Sequence, residues 1–130
     1  MTPDYWPDFT PPEQIRAPIH ILKEQGAILE RKTKGIIRSE FSTRPSQIGN
    51  FWVGWDLYSP LLSGYSYHLL DLTYPPTFYP LSIAGGGTNF EVQNEKGFHE
   101  ALAKILGSAQ TKQIIEAIMV QATAAGEPVG

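Results

Sequence analysis

The chain has 130 residues and a mass of 14.4 kDa, with 42% hydrophobic and 18% charged residues. A chain of this length forms one domain with its own core, and its apolar content excludes a disordered protein. It lacks an apolar run of the roughly 20 residues that cross a bilayer, and its acidic start does not resemble an export signal. These features predict a single domain over residues 1–130, located in the cytoplasm.

Two further features of composition exclude classes of function. The chain has no cysteine, which excludes disulfide scaffolds, thiol catalysis and thiolate zinc sites. Its net charge is −3 at pH 7, whereas nucleic-acid-binding proteins concentrate positive charge against phosphates. We therefore expect neither a nucleic acid nor a membrane as the partner.

The first residues form an aromatic segment that suits neither a helix nor a central strand. Trp6 and Phe9 are interspersed with Pro3 and Pro7, which lack the backbone N–H that both elements need. We predict an extended arm over residues 1–9. Because burying aromatic surface is favourable, the arm either packs on the chain's own body or docks on a partner.

A helical pattern follows the arm. Thr10 has the position of a helix cap, with two prolines in the first turn. Because Pro18 would break a hydrogen bond within a continuous helix, we predict a short first turn and then the main helix over residues 18–32. Gly26 lies on the apolar stripe, where the missing side chain permits close approach to a sheet, and Gly35 ends the helix.

Alternating apolar and polar residues predict four strands and then a short fifth one. The predicted strands cover residues 36–43, 51–58, 65–73, 79–84 and 90–92. Turn residues rather than helices separate these strands, which predicts an antiparallel meander. Pro80 lacks a backbone donor, which predicts that the fourth strand lies at an edge of the sheet.

Two helices are predicted at the carboxyl end of the chain. Asn94 caps the first, which ends at Gly107, and Ser108 caps the second. Residues 126–130 are predicted to form a flexible tail. The predicted fold class is α+β, with an N-terminal helix, a meander of four to five antiparallel strands, and two C-terminal helices packed on the sheet.

Neither the glycine run nor the histidines indicate a cofactor. The glycines at 85–87 are not followed directly by a helix or by the lysine of a phosphate-binding loop, so a hairpin or loop connection is favoured. His20, His68 and His99 are far apart and lack metal-ligand spacing. We predict no metal site and no cofactor, and an exposed position for His20.

His68 is the strongest candidate for a catalytic residue. Strand alternation places it on the face opposite Asp71, with Leu70 and Leu72 on its own face. A general base needs an orienting partner and a nearby substrate, and the sequence indicates neither. A structural histidine is therefore favoured, and no catalytic residue is predicted.

Two acids also lie within the aromatic strands. If the second and third strands pair through the turn at residues 59–64, residue numbers that sum to about 123 face each other. Asp56 would then face Tyr67, and Asp71 would face Trp52. Contacts between these side chains would be ordinary cross-strand pairing.

The central strands carry many aromatic residues on both faces. Trp52 and Tyr58 fall on the face opposite Trp55, because side chains alternate along a strand. The helices or the N-terminal arm cover this second face, or the face stays open and binds a partner.

The favoured function is a non-catalytic protein-interaction module, such as a subunit, an inhibitor, an immunity-type protein or an adaptor. It accounts for the small size and for the lack of a catalytic constellation. The partner would be another protein or a second copy of the chain. The candidate binding residues are the aromatic side chains of the arm and of the second face: Trp6, Phe9, Trp52 and Tyr58.

The alternative is a small-molecule-binding domain or a small enzyme. Its ligand would occupy a pocket between the sheet and the helices. The candidate pocket residues come from the second and third strands: Trp55, Tyr65, Tyr67 and His68. A large pocket that holds a perturbed histidine would favour this alternative, and an exposed aromatic strip would favour the interaction module.

Overall fold

A computed structural model describes residues 2–126. It consists of an N-terminal helix, a sheet of five antiparallel strands and two C-terminal helices, which confirms the predicted α+β fold. The elements in chain order are α1 (Pro18–Lys32), β1 (Arg38–Pro45), β2 (Phe51–Tyr58), β3 (Ser66–Tyr74), β4 (Leu81–Gly85), β5 (Thr88–Val92), α2 (Glu95–Leu106) and α3 (Ala109–Gly126). The strands lie side by side in chain order, as a meander requires.

The entry into α1 differs in part from the prediction. Thr10 caps no helix: the short turn is a 3-10 helix over Pro12–Gln14, which begins without a side-chain cap. The main helix begins at Pro18, as predicted, because proline suits the first helical position. His20 is exposed, and its Nδ1 accepts a hydrogen bond from the Ala17 N–H over 3.2 Å.

Gly26 brings α1 close to β1. A Cβ atom on Gly26 would lie 2.9 Å from Ser39 Oγ and 3.1 Å from Phe41 Cζ, so a side chain does not fit without movement. Gly26 is buried on the helix face that also buries Ile21 and Leu22. The predicted role of this glycine in close approach is confirmed.

The edges of the sheet are β1 and β5, so the prediction of an edge position for the fourth strand is wrong. Pro80 precedes β4 and removes no hydrogen bond from its ladders with β3 and β5. The connection from β4 to β5 is a hairpin with Gly86 and Gly87 at its tip. Their φ angles of 60° and 79° suit a two-residue hairpin turn, which confirms the predicted hairpin.

Both predicted caps of the C-terminal helices are present. Asn94 Oδ1 accepts a hydrogen bond from the Gly97 N–H at 2.8 Å, and Ser108 Oγ accepts one from the Thr111 N–H at 3.1 Å. Gly126 is the last residue of α3, and the rest of the predicted tail, residues 127–130, lies outside the described residues. Within the described chain, no helix is both long and apolar enough to span a membrane.

The hydrophobic core lies between the helices and one face of the sheet, the inner face. Val53 and Leu72 project from this face into the same buried cluster as Ile21 of α1, Phe98 of α2 and Ile118 of α3. All three helices thus contribute to a core on the inner face. The opposite face, the outer face, has no helix packed on it in the described part of the chain.

Candidate functional site

The outer face presents polar and aromatic side chains in rows across the sheet. One row contains the paired residues Arg44, Trp52, Thr73, Ser82 and Glu91. The side chains of the outer face are exposed or half-buried, while Gly54 at its centre is buried. The helices do not cover this face, so of the two predicted alternatives the open face is the one observed.

Five side chains of the outer face form one connected group, which we call the outer cluster: Arg44, Trp52, Asp56, His68 and Asp71. The indole Nε1 of Trp52 donates a hydrogen bond to Asp71 Oδ1 at 2.9 Å. The imidazole of His68 lies between two carboxylates, with Nδ1 2.6 Å from Asp56 Oδ1 and Nε2 2.9 Å from Asp71 Oδ2. The guanidinium carbon of Arg44 lies 4.1 Å from the centre of the Trp52 ring, a cation–π contact.

A β-bulge in β3 assembles this cluster. Trp55 pairs with Leu70 and Asp56 pairs with His68, so Leu69 has no partner on β2. The extra residue reverses the alternation along β3 and turns Asp71 to the same face as His68. Leu69 and Leu70 are both buried, at 6% and 1% exposure.

Three sequence predictions about β3 are therefore wrong. His68 shares the outer face with Asp71, and Leu70 and Leu72 are buried in the core instead of sharing its face. The simple alternation that led to those predictions does not count the bulged residue.

The predicted strand register is also wrong. Paired residue numbers sum to 124 between the turn and the bulge and to 125 beyond it, so only the step from 124 to 125 is due to the bulge. Asp56 pairs with His68 instead of Tyr67, and Asp71 pairs with Gly54 instead of Trp52. The Trp52 ring reaches Asp71 diagonally across the strands, which is within the range of an aromatic side chain.

Gly54 makes room for the Trp52 ring on the outer face. A Cβ atom at Gly54 would lie 2.5 Å from Trp52 Cη2 and 3.4 Å from His68 Cε1. The indole therefore lies across the backbone of its own strand, two residues from its own Cα. Gly54 thus leaves room for the ring, the Arg44 guanidinium lies over the ring, and Asp71 accepts a hydrogen bond from its indole N–H.

The two carboxylates favour the charged form of His68. The hydrogen bond to Asp71 is the largest influence and raises the pKa of His68, and Asp56 adds to it against the opposing effect of partial burial. A neutral imidazole has only one N–H, whereas both ring nitrogens here face carboxylate oxygens. The cluster therefore favours an imidazolium over a neutral imidazole.

This geometry suits neither a general base nor a metal site. Both nitrogens of His68 are occupied, so no lone pair is free to accept a proton from a substrate. The carboxylates of Asp56 and Asp71 lie at different ring nitrogens, so their oxygens do not converge with a nitrogen on one point. Among residues 2–126, no group of three or more His, Cys, Asp or Glu side chains is placed to hold a metal ion.

No family model, curated protein or solved structure matches this chain. No relative therefore assigns a role to any residue of the outer cluster. The outer cluster presents a fixed indole ring and a compact group of charges on an open sheet face.

The four predicted protein-binding residues fall in two places. Trp52 and Tyr58 share the outer face, where both are half-buried. Trp6 and Phe9 lie in the N-terminal arm with their rings 6.2 Å apart, and they are 76% and 72% exposed. Since the described arm is exposed throughout, it does not pack on the body of the chain, and the alternative of a covering arm is not observed.

The four predicted pocket residues do not share one pocket. Tyr67 and His68 line an open cavity of about 400 Å³ beside the β4–β5 hairpin. Trp55 lines a cavity of about 210 Å³ between the helices and the inner face, and Tyr65 lines another of about 340 Å³ against α3. They are divided because β2 and β3 send Trp55 and His68 to opposite faces, and because Tyr65 lies before β3 begins.

Two members of the site were missed from the sequence. Arg44 lies outside the predicted first strand, residues 36–43, but β1 continues to Pro45 and aligns Arg44 with Trp52. The alternation of Arg38, Glu40 and Ser42 extends to Arg44 and was the available signal. Gly54 carried no signal, because only the position of the Trp52 ring makes a side chain there unfavourable.

Proposed function

We propose that this protein is a non-catalytic interaction module whose outer face binds a partner protein that presents basic residues. The observation that carries the proposal is the outer cluster, which holds Trp52 and four charged groups in fixed positions on an uncovered sheet face. Trp, Tyr and Arg are the residue types most enriched among those that dominate binding energy, and this face contains all three. The proposal includes a cytosolic location, where a chain without cysteine is unaffected by reducing conditions.

Preorganisation supports a binding role. Ordering a long side chain at an interface costs roughly 0.5–1.5 kcal/mol, and a side chain that is already fixed avoids most of that cost. Trp52 is fixed by its hydrogen bond to Asp71, by its contact with Arg44 and by the space above Gly54. A partner would therefore meet a rigid aromatic surface.

The charges of the outer face support a basic partner. The outer face carries four acidic side chains, those of Glu40, Asp56, Asp71 and Glu91. It also carries three positive groups, the guanidinium groups of Arg38 and Arg44 and the imidazolium of His68. Asp4 and Asp8 add negative charge to the N-terminal arm, which has no lysine or arginine over residues 2–11. The face has one negative charge in excess and the arm adds two more; this excess would accelerate encounter with a basic partner and would disfavour pairing of two copies. A different protein is thus a better partner than a second copy.

The N-terminal arm supplies a second contact in this proposal. Trp6 and Phe9 are almost fully exposed, and each would remove a large apolar area from water on binding. The backbone N–H of Trp6 donates a hydrogen bond to Asp4 Oδ1 at 3.0 Å, which gives the arm some local order. We propose that the arm wraps the partner that the outer face engages.

Site-specific photo-crosslinking tests the proposal. A photoreactive amino acid at Ser42, an exposed position beside the outer cluster, is compared with the same amino acid at Glu116, an exposed position on α3. We expect a protein partner to crosslink in native lysate at position 42 and not at position 116. High salt should weaken the crosslink, because surface charges act over only about 10 Å at 0.1 M ionic strength and over shorter distances as salt is added.

A substitution in the same experiment tests the role of the cluster. Trp52→Ala, shown by circular dichroism to remain folded, should lose the crosslink at Ser42, while Val120→Ala on the exposed side of α3 should retain it. A partner that crosslinks equally through Glu116, or that is retained by Trp52→Ala, would refute the outer face as the binding surface. A partner with an acidic contact surface would refute the prediction that the partner presents basic residues.

A further inference from the structure

A second site lies on the other side of the sheet, between the inner face and the helices. A cavity of about 210 Å³ is bounded there by apolar side chains from α1, α2 and α3, among them Leu29, Leu106 and Ile115. Trp55 of β2 and Lys32 at the end of α1 also line it. We propose that this cavity binds a small carboxylic acid that carries a single ring or a short branched chain, independently of any protein partner.

The first support is an unpaired donor in the wall. Trp55 is 1% exposed, and its indole Nε1 has no hydrogen-bond partner among the described residues. Buried polar groups are normally paired, because leaving one unpaired costs roughly 1–3 kcal/mol. The hydroxyl of Thr111, also in the wall, is by contrast paired: it donates to the Ile105 carbonyl oxygen at 2.7 Å. This donor is closed off from the open part of the cavity, so a ligand oxygen would pair with it only after the side chains around Trp55 shift.

The second support is the size and lining of the cavity. An apolar cavity of about 150 Å³ is large enough for benzene, whereas sites for drug-sized molecules begin at about 300 Å³. The volume here lies between these limits and suits one ring with one substituent. The half-buried aliphatic walls would contact the ring.

The third support is the charge at the cavity. Lys32 is the single charged residue in its lining, and Lys32 is exposed, so its ammonium stays hydrated while it attracts an anion. Lys32 and the indole N–H of Trp55 are both hydrogen-bond donors, and the described residues that line the cavity include no acid. A carboxylate therefore fits this site better than an amine of the same shape.

Two probes of equal size and opposite charge test the inference. Fluorine NMR follows 4-fluorobenzoate and 4-fluorobenzylamine, and a nitrogen–proton spectrum of the labelled protein resolves the indole N–H of each tryptophan. We expect 4-fluorobenzoate to broaden and to move the Trp55 resonance downfield, while Trp6 and Trp52 stay in place. The amine should bind roughly two- to fivefold more weakly, as expected for a screened charge contact.

Matched variants separate the cavity from the rest of the surface. Ile115→Trp fills the cavity and should reduce 4-fluorobenzoate binding at least roughly tenfold, while Glu116→Trp on the exposed side of α3 should leave it unchanged. Lys32→Glu, at an exposed position and with its folding checked by circular dichroism, should reverse the preference between the two probes. The inference is overturned if Trp55 does not respond, if Trp52 responds instead, or if Lys32→Glu leaves the preference unchanged. The outcomes at Trp55 and Lys32 leave the proposal for the outer face untouched, whereas a response at Trp52 would place the probe on the outer face.

Discussion

His68 Nε2 lies 2.9 Å from Asp71 Oδ2, although the two residues are three positions apart in one strand. In a regular strand that separation would direct the two side chains to opposite faces. The bulge at Leu69 turns both side chains to the outer face. The carboxylate of Asp71 also accepts a hydrogen bond from the indole N–H of Trp52. One irregular residue in β3 thereby joins a cation, an aromatic ring and two carboxylates on the outer face.

Protonation of His68 should make the stability of the protein depend on pH. The pKa of His68 is raised in the folded state. The stabilisation by its contacts with the carboxylates is therefore fully present below the ordinary pKa of about 6.5 and is lost as the pH rises through the folded-state pKa. The side chain is 48% exposed, so solvent screening limits the loss to about 1 kcal/mol or less.

Urea unfolding between about pH 5 and pH 9 measures this dependence. His68→Gln serves as the control, because the two proteins share every other ionisable side chain. The difference in unfolding free energy between wild type and His68→Gln should shrink as the pH rises. A difference that grows over the same interval would contradict the assignment of His68 as a cation.

Gly54→Ala should displace the Trp52 ring from the outer cluster. The new methyl group would lie 2.5 Å from Trp52 Cη2, and the outer edge of the ring moves more easily than the backbone of the strand. The indole resonance of Trp52 should therefore shift upfield as its hydrogen bond to Asp71 is lost. Because the ring swings toward solvent, the free energy of unfolding should fall by only about 1 kcal/mol.

Ser42→Ala, in the same row of the outer face, is the matched control for that experiment. It adds no atoms near the ring and should leave the Trp52 resonance unchanged. Should Gly54→Ala preserve the resonance, the ring would not be held over Gly54 in solution.

The architecture was predictable because local signals agreed with one another. Pro18 fixed the start of α1, Asn94 and Ser108 marked two helix caps, and alternation marked β2 at its observed bounds. These features depend on residues close together in the chain. Pro80 led to the wrong prediction of an edge strand, because a proline just before a strand has the same sequence pattern as one inside an edge strand.

The site was less predictable than the fold, because it depends on one residue of register. Alternation assigns faces correctly only while each residue has a partner, and Leu69 has none. The adjacent pair Leu69–Leu70 was the available signal, since two consecutive buried residues do not fit a strand with one open face. The exposure of Trp6 and Phe9 had no comparable signal in the sequence.

Gly26→Val should separate α1 from β1. The added side chain meets Ser39 Oγ and Phe41 Cζ at the closest point between the helix and the sheet. Overpacking of this kind costs roughly 1–3 kcal/mol, more than the slight gain from removing a helical glycine. Chemical denaturation provides the measurement, with Ala27→Val at the exposed neighbouring position as the control. Equal stabilities for the two variants would mean that α1 adjusts without strain.

Removing the carboxylates one at a time should reveal what holds His68 in its charged form. Asp71→Asn keeps an acceptor for the Trp52 indole but removes a negative charge, so the pKa of His68 should fall. In the double variant with Asp56→Asn, partial burial still disfavours the cation, so the pKa should reach its ordinary value or drop below it. Proton NMR titration of the His68 ring measures both. A pKa that stays raised in the double variant would show that the two carboxylates are not its cause, and that the outer cluster does not depend on an imidazolium.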